Sequence, residues 1–234
     1  MSDNKYAMRR LYECVSALLP SGRMFIHSST MTFDASAISG FWTWFRASDA
    51  KLKAMSNADH PFWDTALSQL KGVHQGLWFE MSDEVRGRRE FVITAEGDQK
   101  LFPLVDAMVA AAPTMGAWVF VALKPAMGFD FTHRYEDVLY DPKTMWFLPL
   151  GVKDRPDYLG LRIGIPSLRD LDQDAAEFAV TIILETGLGE RERAADVHYT
   201  EVVRLPNDPA KEGYIELPDL TAYIAWLKRK LAET

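Results

Sequence analysis

Residues 144–166 read T-M-W-F-L-P-L-G-V-K-D-R-P-D-Y-L-G-L-R-I-G-I-P, and this stretch sets the predicted fold. Two apolar runs with strand character flank a polar turn at 153–157, which predicts two adjacent strands. In the second run, leucines and isoleucines alternate with Gly160, Arg162 and Gly164. Since successive side chains of a strand point to opposite faces, the apolar set lies on one face and the Gly-Arg-Gly set on the other.

The elements around this hairpin repeat an order found earlier in the chain. A helix at about 173–186 and a strand at 197–205 complete a β-β-α-β unit over 145–205. The same order, with little residue identity, is predicted at 77–123. Neither unit can bury its helix and sheet alone, so pairing predicts one six-stranded, mainly antiparallel sheet with the helices on one face.

Further helices complete the predicted architecture, which is an α+β single domain over 1–234. Apolar residues at helical spacing predict an N-terminal helical part, 1–75, and a C-terminal helix. Cys14 falls on the apolar face of the first helix and is interpreted as an inert packed thiol. The additional helices are predicted at 3–19, 38–56, 60–73 and 219–232.

The helix at 173–186 has clear signals at both ends. Asp170, Asp172 and Asp174 cluster at its start, where free N–H groups and the helix dipole favour negative charge. Gly187 follows its last turn and suits a left-handed C-terminal cap.

Composition limits the classes of function. A net charge of −7 argues against nucleic acid, because phosphate binding needs concentrated Lys and Arg. The single cysteine excludes an internal disulfide and a cysteine metal cage. The charged start does not resemble a signal peptide, and Pro113 and Gly116 interrupt the longest apolar stretch. These features predict a cytoplasmic protein without a membrane segment.

Motifs for metal, phosphate or nucleophilic chemistry are missing from the sequence. None of the five histidines pairs at i, i+3 or i, i+4, so no metal site is predicted. No glycine-rich phosphate loop or G-x-S-x-G elbow occurs. We therefore predict no cofactor and assign no catalytic residue.

The densest group of ionisable residues is D-F-T-H-R-Y-E-D at 130–137. His133 lies among carboxylates there, so it could act as a general base with Glu136 or Asp137. The alternative is a solvated, charge-rich linker, which we favour because no nucleophile or oxyanion donor can be named.

Arg162 offers a second candidate site. The two flanking glycines leave space around its cation, which could form the floor of an anion-binding site. The alternative is that another backbone packs closely against the glycines. The basic stretch Arg86-Gly87-Arg88-Arg89 is interpreted as a solvated hairpin tip.

Four aromatic residues crowd the predicted helix at 38–56. Phe41 and Phe45 share a stripe with aliphatic residues and are predicted to lie in the core. Trp42 lies near the edge of this stripe and is predicted to be partly exposed, as a candidate contact for a partner.

Several stretches over about 40–205 resemble a family of uncharacterised bacterial proteins, a domain of unknown function. The similarity is diffuse and follows the hydrophobic framework, and it implies no activity and no site residues. The stretches are G-L-W-F-E (76–80), E-F-V-I-T-A-E-G-D-Q-K-L-F-P-L-V-D-A-M-V-A-A-A-P (90–113), W-V-F-V-A-L-K-P (118–125) and L-E-T-G-L-G-E (184–190).

The function predicted from the sequence is a non-enzymatic binding module of the bacterial cytoplasm, with a protein partner or a second copy as ligand. Its candidate binding residues are Arg162, His133, Glu136 and Trp42. The alternative is a small hydrolase-like enzyme or anion binder using His133, Arg162 and nearby carboxylates. A third hypothesis docks the C-terminal helix, with Lys228, Arg229 and Lys230, on a partner.

Overall fold

The structure is a computed structural model, and the predicted helix at 3–19, with Cys14, lies outside the residues it describes. The described residues are 33–55, 61–166, Leu168 and 172–233.

The described chain divides into two compact units. The N-terminal unit comprises the described residues of 33–95 together with 103–121. The C-terminal unit comprises 96–102 and the described residues of 122–233. The single domain expected from the sequence stays a prediction.

Helices and strands alternate irregularly along the chain, which confirms the α+β class. None of the helices in the described stretches combines the length and apolar character needed to cross a membrane. The α-helices are α1 (Ala35–Ala47), α2 (Asp49–Ala54), α3 (Trp63–Lys71), α4 (Phe102–Ala110), α5 (Gln173–Leu188), α6 (Glu190–Asp196) and α7 (Leu220–Ala232).

The described strands form three sheets, with orders β1-β2-β3, β4-β5 and β8-β7-β6-β9. The four-stranded sheet is mixed, because β7 pairs antiparallel with β6 and parallel with β8. The strands are β1 (Trp78–Met81), β2 (Arg89–Thr94), β3 (Trp118–Ala122), β4 (His133–Tyr135), β5 (Val138–Tyr140), β6 (Trp146–Val152), β7 (Arg155–Ile165), β8 (Tyr199–Arg204) and β9 (Ile215–Glu216).

This arrangement differs from the single six-stranded sheet expected from the sequence. The first stretch has the order β1-β2-α4-β3, whereas the second contains an additional helix and runs β6-β7-α5-α6-β8. However, β9 pairs with the edge of β6 through Ile215 and Glu216, while β8 forms the opposite edge of the sheet. A short late strand thus takes an edge position that the repeat pattern had left for the other unit.

Aromatic packing builds the core of the N-terminal unit. The ring of Phe45 on α1 lies 5.0 Å from Phe91 on β2 and 5.2 Å from both Trp118 and Phe120 on β3. Phe41 is also buried, so both phenylalanines belong to the core, as predicted. The predicted helix at 38–56 is instead two helices, which separate at Ser48.

Arg89 corrects the interpretation of the basic hairpin tip. Arg86 and Gly87 form the turn with positive φ angles of 54° and 76°, and Arg88 is exposed beside them. Arg89 is only 6% exposed and donates hydrogen bonds to the carbonyl oxygens of Met55 at 2.6 Å and Ser82 at 2.9 Å. A guanidinium carries five N–H donors, so this side chain satisfies several carbonyl groups at once.

The core of the C-terminal unit lies on one face of the four-stranded sheet. Leu159, Leu161, Ile163 and Ile165 on β7 point to this face, as their alternation predicted. Buried residues of α5 and α7 pack against them and include Ala176, Ala179, Val180, Ile183, Leu184, Leu220 and Ile224. The opposite face is therefore the one that carries Gly160, Arg162 and Gly164.

The end of α5 differs from the predicted cap. Asp172 accepts a hydrogen bond from the N–H of Ala175 at 2.9 Å, as expected for an N-cap. However, Gly187 lies inside α5, and the residue after the helix with positive φ, 83°, is Gly189. A Cβ atom on Gly187 would lie 2.2 Å from Cε1 of Phe129, so glycine is needed there for close packing rather than for a left-handed turn.

We predict that Arg89→Met destabilises the protein by about 1–3 kcal/mol, because buried carbonyl groups lose their donors. Arg88→Met is the matched control, since Arg88 is exposed and adjacent, and it should change stability by less than about 0.5 kcal/mol. Urea unfolding followed by circular dichroism measures both. Equal effects of the two substitutions would contradict the structural role of Arg89.

Gly187→Ala should destabilise the protein by about 1–3 kcal/mol through overpacking against Phe129. Gly40 in α1 is the matched control, because a Cβ atom there meets nothing within 4 Å. Gly40→Ala should therefore stabilise the protein by about 0.5–1 kcal/mol, the ordinary helix effect. In thermal unfolding, a lower Tm for Gly187→Ala together with a higher Tm for Gly40→Ala confirms the packing argument. A higher Tm for both variants refutes it.

Candidate functional site

His133 is a buried residue of the short hairpin β4-β5 and not part of a solvated linker. It is 6% exposed and pairs across the hairpin with Tyr140. Burial lowers the pKa of its imidazole, which keeps the ring neutral near pH 7. Its Nε2 atom has no hydrogen-bond partner among the described residues. The expectation of a solvated linker is thus wrong for His133 itself.

Glu136 lies at the turn of the same hairpin, where its backbone has a positive φ of 51°. Glu136 and Asp137 are both exposed. Burial raises the pKa of the Tyr140 hydroxyl, and the carboxylate of Glu136 raises it further. None of the described hydrogen bonds joins His133 to either carboxylate, so the predicted acid–base pair is not formed.

Arg162 is paired on the sheet surface. Its Nε atom lies 2.5 Å from Oε1 of Glu201, its neighbour on β8. This contact, with a smaller contribution from Tyr214, raises the pKa of the guanidinium. Glu201 already neutralises the charge of this guanidinium, so the arrangement does not favour the anion-binding hypothesis.

Side chains fill the space beside both glycines. A Cβ atom on Gly164 would lie 2.5 Å from Cδ1 of Leu205, and one on Gly160 would lie 3.2 Å from Cβ of Leu150. Close packing is therefore the role of these glycines, which was the alternative weighed for this strand.

A polar aromatic surface remains around Arg162, which we call the Tyr199 patch. The hydroxyl of Tyr199 donates to Oε2 of Glu201 at 3.2 Å, and its side chain is 47% exposed. The neighbouring rings of Tyr158 and His198 stack with centroids 4.8 Å apart. The Tyr199 patch consists of Tyr158, Arg162, His198, Tyr199 and Glu201.

Trp42 corrects another prediction. It is 2% exposed, and its indole N–H donates to the carbonyl oxygen of Met108 at 2.8 Å. Its ring also packs edge-on against Phe120, 4.6 Å between centroids. The expected partial exposure is wrong, because α4 and β3 supply both a polar and an apolar partner for the indole.

A second polar group in the C-terminal unit was missed by the sequence analysis. Glu190 is 1% exposed and accepts hydrogen bonds from the N–H groups of Gly97, at 2.9 Å, and Lys124, at 3.1 Å. The ammonium of Lys124 lies 3.0 Å from Glu96 and 2.7 Å from Glu185. We call Glu96, Lys124, Glu185 and Glu190 the Glu190 cluster.

Glu201 and Tyr199 were missed for a different reason. The sequence predicts a strand over 197–205 but not its register against the 158–166 strand. The parallel register places Arg162 beside Glu201 and Gly160 beside Tyr199. A search for an acidic residue on the strand that follows the helix would have found Glu201 as the partner of Arg162.

Comparison with known proteins adds no functional assignment. No protein-family model matches the sequence, and no curated protein or solved structure does either. Within the described ranges, no group of three or more His, Cys, Asp or Glu side chains is arranged to hold a metal ion. The candidate site therefore rests on the contacts of the chain itself.

His133→Leu should remove part of the acid sensitivity of the fold. Burial lowers the folded-state pKa of His133 below its ordinary 6.5, so the unfolded chain binds more protons. The contribution of the neutral imidazole to the free energy of unfolding is present above pH 6.5. It is lost as the pH falls through the lower pKa of His133 in the folded state. Denaturant unfolding between pH 5 and 8 measures the free energy of unfolding of both proteins. On acidification this free energy should fall less steeply in the variant than in the wild type, and above pH 7.5 the two curves should run parallel. An unchanged acid slope would contradict a buried neutral imidazole.

Proposed function

We propose that this protein is a non-enzymatic binding module of the bacterial cytoplasm that self-associates through the Tyr199 patch. The observation that carries the proposal is the ion pair of Arg162 and Glu201. Both side chains remain partly accessible, at 39% and 29%, although they bind each other. The partner we infer is a second copy of the same chain.

The composition of the patch supports a protein ligand. Tyrosine and arginine are enriched among residues that carry most of the energy of protein–protein contacts. Tyr199 adds a rigid, amphipathic ring that is half exposed. Tyr158 and His198 extend this aromatic surface.

Charge complementarity supports a second copy as the partner. Most homodimers have a two-fold axis, so each residue meets its counterpart reciprocally. A face with one cation beside one anion is complementary to itself under such an axis, because Arg162 of each copy faces Glu201 of the other. Arginine has five N–H donors, so it can bind a second carboxylate while it keeps the first.

The alternative from the sequence, a hydrolase-like enzyme or an anion binder, stays a prediction. Arg162 contacts Glu201 and Tyr214, whereas His133 lies buried in the β4-β5 hairpin. None of the described hydrogen bonds links the two proposed functional residues.

The C-terminal helix is a weaker candidate for the contact surface. Trp226 on α7 is 45% exposed. However, Lys228 forms an ion pair with Asp196 at 2.7 Å, and Lys230 lies 5.0 Å from the ring centroid of Trp226. Two of the three cations of this helix therefore have partners within the chain.

Charge reversal tests the proposed dimer. Arg162→Glu leaves two carboxylates on the patch, and Glu201→Arg leaves two guanidiniums, so each variant should repel its own copies and sediment as a monomer. An equimolar mixture of the two should regain the dimer mass of the wild type, because opposite patches then face each other. Sedimentation velocity from about 1 µM to 1 mM covers weak and tight association.

Two controls keep the test decisive. Circular dichroism of each single variant checks that loss of the internal ion pair leaves the fold intact. Lys228→Glu, on α7, should leave the dimer mass unchanged. A monomeric wild type over the whole concentration range, or a mixture that stays monomeric, would overturn the proposal.

A further inference from the structure

Residues 96–102 form a strap on the surface of the C-terminal unit, between the end of β2 and the start of α4. Part of its attachment is polar, beside the buried side chains of Leu101 and Phe102. The N–H of Gly97 donates to Glu190, the amide of Gln99 donates to the carbonyl oxygen of Ala194, and Arg191 lies 5.3 Å from the ring centroid of Phe102. All three attachment points belong to α6.

Lys124 also holds this strap, but it is shared. Its ammonium binds Glu96 of the strap at 3.0 Å and Glu185 of α5 at 2.7 Å. Lys124 is 14% exposed, so water screens these contacts only partly. The two carboxylates therefore compete for one cation.

We propose that the protonation state of Glu185 sets how tightly Lys124 holds the strap. When Glu185 is ionised, the charge of Lys124 is divided between α5 and the strap. When Glu185 is neutral, more of the charge of the ammonium acts on Glu96 and the strap is held more tightly. The fold thus contains a pH-sensitive attachment of residues 96–102.

The surroundings of Glu185 make this protonation accessible. Burial raises the pKa of its carboxyl group, and Glu96 and Glu190 raise it further, while Lys124 lowers it. Arg193 on α6 also faces it, since the Glu185 charge acts on the Arg193 guanidinium. Because the folded pKa lies above the ordinary 4.5, Glu185 takes up its proton in the folded protein before an exposed glutamate would.

Two of the four non-glycine residues with positive φ in the described part of the chain lie at the same place. Glu96 and Leu123 both have positive φ angles, 50° and 62°, although neither is glycine. Such residues cost about 1–3 kcal/mol each and persist only where the surroundings hold them. A strap that starts from a strained residue is one that can loosen when an ion pair weakens.

Amide hydrogen exchange at Gly97, measured by NMR and corrected for intrinsic rates, tests the proposal. Glu185→Gln mimics the neutral carboxyl group and should slow exchange at neutral pH by about two- to fivefold, the range of one partly exposed ion pair. The wild type should approach the rate of this variant on acidification. Glu96→Gln should speed exchange and remove the response to pH.

The amide of Ile163, in the buried strand β7, is the internal control and should exchange equally in all three proteins. If Glu185→Gln also changes the exchange rate of the Ile163 amide, Lys124→Met provides a second variant. This change removes the shared cation, so adding Glu185→Gln to it should then leave Gly97 unaffected. Equal protection of Gly97 in the wild type and Glu185→Gln at neutral pH would overturn the proposal.

Discussion

The buried carboxylate of Glu190 is the constraint on which much of the C-terminal unit depends. It accepts one N–H from Gly97 and one from Lys124, while its own N–H donates to the carbonyl oxygen of Lys124. Three separate stretches of chain are therefore joined by a single side chain, without a shared strand ladder. A buried backbone N–H without a partner costs about 1–3 kcal/mol. Replacing Glu190 would leave the N–H groups of Gly97 and Lys124 without this acceptor at the same time.

The neighbouring backbone is shaped to reach this carboxylate. Gly189 precedes Glu190 with a φ of 83°, and a Cβ atom there would lie 2.8 Å from the backbone nitrogen of Ala126. The N–H groups of Met127 and Gly128 then donate to carbonyl oxygens of the last turn of α5. Packing accounts for Gly187 and Gly189, and hydrogen bonding accounts for Glu190, in the stretch L-E-T-G-L-G-E.

Charged side chains that have internal partners in the described part of the chain are of two kinds. Arg89 and Glu190 are buried and hold backbone groups, so they belong to the framework. Arg162 and Glu201 are paired but remain accessible, so the same chemistry is available to a partner. Exposure, more than residue type, distinguishes a charged group that holds the framework from one that can take part in recognition.

The α+β class, the β1-β2-α4-β3 order and the core role of Phe41 and Phe45 follow from local patterns, because the spacing of apolar residues depends only on neighbours along the chain. Trp42 shows where that reasoning ends, since its burial depends on the carbonyl of Met108, a residue distant in sequence. The pairing of Arg162 with Glu201 and the cluster around Glu190 depend likewise on strand register and on loop paths. The sequence by itself determined most of the longer helices and strands and the apolar face of β7. The tertiary structure decided which polar groups meet, because hydrogen bonds form only at about 3 Å and ion pairs strengthen as the fold brings the charges together.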